Sequence, residues 1–317
     1  MTKSIKSGFG QRYARHKEFI TAKEQKKLAT ARILLAGCGV GSTLAPNLAR
    51  MGYATRNPGL LIFADLDVVD LSNLNRQVFS ESAVGHNKAY SLQEEVLRIN
   101  SSLKTRVVVE GVTLKNVSKL VAEVDLIIDM IDVGNPAIML SLHREAQMQK
   151  KTLITGFDLG EGTATLVFDY RYPNEMTLER LLGFENILPE DLTDLPAIAV
   201  TAIAAQCLIG SVINSFANRS EVVRYYIDYF KSIKNINALK AAVPVEMHGV
   251  IDKLIVGELQ FIPQMNTASV TLGNVHEAII RRLVTGIAVK TFPKIIKTDM
   301  QSLISPVVIE RRQNGTS

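Results

Sequence analysis

Three glycines, Gly37, Gly39 and Gly41, follow directly on the apolar run from Ile33 to Ala36. Glycines at this spacing let backbone N–H groups approach a phosphate, and a helix that starts there favours negative charge. The sixth position of the pattern is Ser42, where Gly or Ala is usual. A second apolar run, residues 60–64, ends in Asp65 and Asp67. A carboxylate at such a strand end can accept hydrogen bonds from ribose hydroxyls. Beyond it, SNLNRQ supplies Ser72, Asn73, Arg76 and Gln77, and GHNK supplies Lys88. A glycine turn largely handles the two phosphates of a dinucleotide. Extra Arg and Lys beside that turn suggest the longer negative charge of a triphosphate. A third apolar run, D-L-I-I-D-M-I-D, places Asp129 and Asp132 at the carboxyl end of a buried strand, where open α/β sheets bind ligands.

These residues need a scaffold of strands and helices. Residues 43–52 read as a helix with Leu44, Leu48 and Met51 on one face, giving strand, glycine turn, helix, strand: a nucleotide-binding βαβ unit. Downstream the pattern predicts a helix over 89–99, a strand over 106–110, a helix over 117–124, the strand 125–132 and a helix over 135–150. A strand over 152–156 and a hairpin turn over 158–163, leading into a strand over 165–170, follow. The expected fold class is α/β: a Rossmann-like, mostly parallel sheet with flanking helices, plus a largely helical insertion.

The combination of a G-x-G-x-x-G-like turn, D-x-D, S-N-x-x-R-Q, a downstream G-x-x-K and D-x-x-D resembles the ThiF/MoeB/ubiquitin-activating superfamily of ATP-dependent adenylating enzymes. The resemblance covers residues 8–168 and returns near the C-terminus. It implies ATP and Mg²⁺, with Asp132 holding the metal on the triphosphate and Asp129 supporting the turn. It implies that an R-Y-x-R segment, here Arg12 to Arg15, precedes the first strand, and that Arg15 reaches into the ATP site of a partner subunit in a homodimer. Many members carry paired CxxC zinc motifs and a catalytic cysteine. This chain has neither pair, so no zinc is expected. Cys207, flanked by apolar residues in AIAAQCLIG, reads as a buried inert thiol, and Cys38 as packing in the glycine turn.

Four regions are expected: an N-terminal helical arm over 1–30, an ATP-binding Rossmann-like domain over 31–170, a helical insertion over 171–262, and a return of the family fold with a C-terminal tail over 263–317. In the last, residues 275–286 resemble the family's returning helix and 292–299 its last strand. The insertion matches no motif and is the expected seat of substrate recognition. Its aromatic cluster Tyr225, Tyr226, Tyr229 and Phe230 reads as core or interface.

Over 317 residues the chain is 21% charged and 47% hydrophobic, ordinary for a globular protein. The N-terminus has basic residues without an apolar core, and the apolar stretch 195–213 is Ala-rich and opens near Pro196. Neither a secretory signal nor a membrane span is expected, and a reducing cytoplasm is. Residues 1–30 carry eight Lys or Arg against two Glu, and residues 281–317 seven against two acids, so the middle is net acidic. Basic ends could contact nucleic acid or an acidic peptide.

The chemistry that emerges is ATP-dependent adenylylation of a carboxylate on a peptide or small protein, at its C-terminus or a side chain, with release of pyrophosphate and no cysteine thioester step. One alternative is a cyclase similar to the tRNA threonylcarbamoyladenosine dehydratases, with tRNA as partner. Another is an NAD-dependent oxidoreductase, which would use Asp65 but leave Arg76, Lys88 and Asp132 without a role. A non-catalytic scaffold is the third.

Overall fold

The computed structural model describes residues 9–131, 135–159, 162–172, 177–179, 186–193, 265–291 and 296–299. Among these residues the centre is a seven-stranded sheet of order β3-β2-β1-β4-β5-β6-β7. The strands are β1 (Arg32–Ala36), β2 (Leu60–Ala64), β3 (Thr105–Val108), β4 (Leu126–Asp129), β5 (Thr152–Leu159), β6 (Gly162–Asp169) and β7 (Ile296–Asp299). The first five in sheet order are parallel; β6 and β7 join antiparallel.

The sheet is buried on both faces, which is why its central strands are continuous apolar runs. Successive β1 residues point to opposite faces. Leu34 and Ala36 pack with α5 (Val117–Ala122) and α6 (Pro136–Met148) through Leu120, Val121, Leu140 and Leu142. Ile33 and Leu35 pack with α2 (Ala22–Ala29), α3 (Ala45–Met51), α4 (Lys88–Ile99) and α7 (Asn266–Thr285) through Leu28, Leu48, Leu92, Val96 and Ile280. Truncating a fully buried member such as Leu34 to Ala would cost about 2–5 kcal/mol.

The strand order places a switch point in the middle. After β1 the chain passes to α3 on one face; after β4 it passes to α6 on the other. The two connections diverge from adjacent strands, and the crevice they leave at the carboxyl ends is where such sheets take ligands.

Several boundaries differ from the sequence expectation. The helix expected over 43–52 begins as a 3-10 turn, Val40–Thr43, and becomes α3 at Ala45, with Gly52 closing it at φ 80°. β4 ends at Asp129, so Asp132 is not the strand's last residue but three beyond it, outside the described residues. The expected turn over 158–163 is instead mostly strand, because β5 and β6 pair from Thr152↔Asp169 through Leu159↔Gly162. α7 begins at Asn266, nine residues ahead of the expected start, and an uncharged first half explains the miss. Of the strand expected over 292–299, residues 296–299 are described and form β7. The edge strand β3 and the helices α5 and α6 were rightly placed but run shorter. Of the insertion expected to be helical, the described residues show helical Leu178 and Glu179 and one 3-10 turn, Pro189–Leu192. Cys207 and the tyrosine cluster lie outside the described residues. No helix among the described residues is long and apolar enough to cross a membrane.

Candidate nucleotide site

Gly37 ends β1 at φ 91°, and a Cβ there would lie 2.2 Å from the Met130 carbonyl oxygen. Both facts require glycine: the backbone is in the left-handed region, and the β4 tip passes too close for a side chain. Met130 N–H in turn donates to the Ala36 carbonyl at 2.8 Å, so the two strand tips are tied across the switch point. Gly41 gives close packing on β1, since a Cβ would meet Leu35 Cδ1 at 2.9 Å. Gly39 faces the amide of buried Gln77, whose Nε2 lies 3.3 Å from where a Cβ would stand. Gln77 Oε1 is buried without a hydrogen-bond partner, an acceptor left open beside the glycine turn. Ser42, the departure from the glycine pattern, accepts from Val78 N–H at 2.9 Å and so fastens the turn to the segment carrying Arg76 and Gln77.

Asp65, one residue past β2, binds the turn from the other side. Its Oδ2 accepts from Cys38 N–H at 2.6 Å and its Oδ1 from Asp67 N–H at 2.8 Å. Burial raises its pKa; the two backbone bonds and the nearby Lys88 charge oppose that rise. Lys88 is the first residue of α4 and is buried, with Nζ 2.9 Å from Asp67 Oδ2. Its charge is also felt at Cys38 and Asp70. A cation of this kind is held at a fixed point above the turn, because the helix start and the Asp67 pair set its position. The Cys38 thiol is buried and its pKa is pushed well up, which agrees with a packing role.

The SNLNRQ segment is folded by its own side chains. Asp70 Oδ1 accepts from Ser72 N–H at 2.7 Å, and Asn73 Oδ1 accepts from Asp70 N–H at 3.1 Å. Arg76 Nη1 donates to the Ser72 carbonyl at 3.1 Å and to Asn75 Oδ1 at 2.9 Å. The structure thus brings Gly37, Gly39, Gly41, Asp65, Asp67, Ser72, Asn73, Arg76, Gln77 and Lys88 to one end of the sheet. Asp132 lies outside the described residues. Arg15 is exposed in a 3-10 turn, Ala14–His16, after buried Tyr13, and makes no described bond to these groups.

Two residues went unread in the sequence. Asp70 organises the segment above, and D-L-S-N has the spacing of a capping box. Asn87 caps α4 and donates from Nδ2 to the Asp65, Asp67 and Val109 carbonyls at 2.9, 3.3 and 3.3 Å. An Asn just ahead of a helix start was its signal. Among the described residues, no cluster of His, Cys, Asp and Glu could hold a metal by itself.

The profile of the ThiF family matches residues 13–240, more than half of the chain. The chain belongs to the ThiF family. Escherichia coli molybdopterin-synthase adenylyltransferase is 32% identical over 168 residues, 52% of this chain and 64% of that one. The Lodderomyces elongisporus adenylyltransferase and sulfurtransferase UBA4 is 30% identical over 153 residues, 47% of this chain and 32% of that one. This ThiF-family chain therefore spans about a third of the fungal relative's length and just under two thirds of the bacterial one's. Its fold resembles that of E. coli MccB, solved with MccA-N7isoASN, at TM-score 0.57 and 17% identity, covering 93% of this chain and 73% of that one.

Proposed function

We propose that this chain is an ATP-dependent adenylyltransferase that activates a substrate carboxylate as its acyl-adenylate. The observation that supports this best is Lys88: a buried amine, fixed by Asp67 beside a glycine turn, on a ThiF-family sheet. An ionised carboxylate oxygen attacks the α-phosphorus, the bond from that phosphorus to the bridging oxygen breaks, and pyrophosphate leaves with the electron pair. The attacking group has a pKa near 4 and is already ionised at neutral pH, so the reaction needs no strong base. It needs position and charge neutralisation.

In this reading the N–H groups of the glycine turn receive phosphate oxygens. Lys88 and Arg76 neutralise their charge, and Asn73 and Ser72 contact phosphate or ribose. Asp65 can still receive ribose hydroxyls, because a carboxylate has acceptor capacity beyond its two backbone bonds. Gln77 Oε1 is a further open acceptor. Carboxylate oxygens are donors of the kind magnesium prefers. Asp132 would hold that ion, which supplies charge neutralisation on the triphosphate. Arg15 would come from a second copy, making the homodimer a condition of activity.

The substrate is a peptide or small protein bearing a carboxylate; the relatives named above, one a molybdopterin-synthase adenylyltransferase, support a protein partner, and the net acidic middle of the chain is less suited to tRNA. The product is used without a cysteine relay. ATP–pyrophosphate exchange, screened with peptides, small proteins and total tRNA, tests the proposal. Exchange should depend on one class of carboxylate and fall by about 10²–10³ in Lys88→Ala. Exchange intact in both Lys88→Ala and Asp132→Ala would overturn the roles of these two residues.

A further inference from the structure

A chain of buried polar groups runs behind the site, from the β4 tip to the start of the unassigned region. Asp129, the last residue of β4, and His143, on α6, are each 1% exposed. Asp129 Oδ1 accepts from Ile131 N–H at 3.1 Å, which fixes the turn leaving β4. Asp129 Oδ2 and His143 Nε2 lie 3.3 Å apart without hydrogen-bond geometry between them, and neither atom has a hydrogen-bond partner. His143 Nδ1 lies 2.8 Å from the Tyr170 hydroxyl, just past β6. Phe168 meets the imidazole edge-on, with ring centroids 5.0 Å apart, and excludes water from that side.

These contacts hold the imidazole between a hydroxyl on one side and a carboxylate on the other. The next residue on α6, Arg144, bonds the same incoming segment: Nε to Glu179 Oε1 at 2.6 Å and Nη2 to the Ile187 carbonyl at 2.6 Å. Leu178, Ile187 and Leu192 are buried in the core beside α6. An apolar pair would pack Leu178, Ile187 and Leu192 beside α6 at lower cost, since a buried carboxylate and imidazole are expensive to desolvate. Their use here is direction: they set where the β4 tip lies, and Met130 at that tip is the wall of the Gly37 turn.

We propose that His143 and Tyr170 are positioning residues for the nucleotide turn, linking the segment that opens the unassigned region to the strand tip beside Gly37. The link touches neither nucleotide nor substrate; it acts through Asp129 and Met130. Its consequence for ATP rests on the adenylyltransferase reading, and its consequence for the backbone does not.

Two measurements on the full-length protein separate these. The first is amide hydrogen exchange without nucleotide on native protein, Tyr170→Phe, His143→Leu and His143→Gln. Tyr170→Phe removes the hydroxyl partner of Nδ1 with little change of shape. It should speed exchange at residues 37, 38, 130 and 131 at least tenfold while leaving the amides of α4 unchanged. The second is calorimetric titration with a non-hydrolysable ATP analogue and Mg²⁺. Tyr170→Phe and His143→Leu should bind about tenfold more weakly, the scale of one buried hydrogen bond. His143→Gln, which keeps an N–H for Asp129, should recover to within about threefold of native. Unchanged exchange at those four residues in folded Tyr170→Phe overturns the link, as does His143→Gln binding no better than folded His143→Leu. If native protein binds no ATP analogue, the adenylyltransferase reading fails, and the exchange result alone decides the link.

Discussion

At Gly37 the requirement on residue type is absolute, because two independent facts coincide: a φ of 91° and a neighbouring carbonyl where a Cβ would stand. Gly37→Ala should therefore lose ATP binding by more than tenfold in a titration, even where the sheet still folds. The same variant binding normally would mean that the turn does not hold the nucleotide. Asp65 is a milder case. In Asp65→Asn one amide oxygen can keep the Cys38 bond, but the –NH₂ then faces the Asp67 N–H. Binding should weaken by roughly tenfold, the cost of one lost charged hydrogen bond. At this scale the sequence was legible where type and spacing jointly restrict the answer, as in the glycines and Lys88. It was not legible where the partner is remote in sequence: nothing in the spacing pairs Ser42 with Val78, or Asp129 with His143.

The elements show the same division. Helix α2 begins with a local signal, T-A-K-E, and the structure makes that capping box: Glu24 N–H donates to Thr21 Oγ1 at 3.2 Å, and Thr21 N–H to Glu24 Oε2 at 2.8 Å. Thr21→Ala should lower stability by about 1 kcal/mol in chemical unfolding and leave nucleotide affinity unchanged. Helix α7 is the opposite case. Its first half, N-T-A-S-V-T-L-G-N, is poor in strong helix formers. Tertiary packing decides it: Ala268 and Leu272 are fully buried, and Gly273 lets the helix pass so close to the glycine-turn helix start that a Cβ would meet Thr43 Oγ1 at 2.6 Å. The β5–β6 hairpin was expected, but its turn was placed too wide for a related reason. Asp158 looks like a turn residue, yet it is buried in strand and bonded to the hydroxyl of Ser269 on α7.

For the whole molecule, sheet order and the two-faced core follow from apolar runs alternating with amphipathic helices, so the fold class was readable before the structure. Which helix covers which face was not, and that choice creates the crevice between β1 and β4. Stability should depend on acid through His276, fully buried on α7 with its ring 3.1 Å from Thr165 Oγ1 and its pKa lowered by burial to about 3. Unfolded histidine takes a proton near pH 6.5, so the unfolded chain binds more protons between pH 6.5 and 3. The His276 contribution is complete above that window and is lost as pH falls through it. Between pH 7 and 5 the loss should be on the order of 2 kcal/mol, visible as a steeper fall of the thermal midpoint in native protein than in His276→Gln. Equal slopes would show that the group is not buried neutral. The function itself is decided at the end of the sheet where Lys88, Asp65 and the glycine turn meet. Titrating the protein with ATP–Mg²⁺ and, separately, with NAD probes that end without any knowledge of the substrate. Saturable ATP–Mg²⁺ binding that Lys88→Ala weakens at least tenfold, with no comparable affinity for NAD, is the expected result; tighter binding of NAD, or ATP binding indifferent to Lys88, would contradict it.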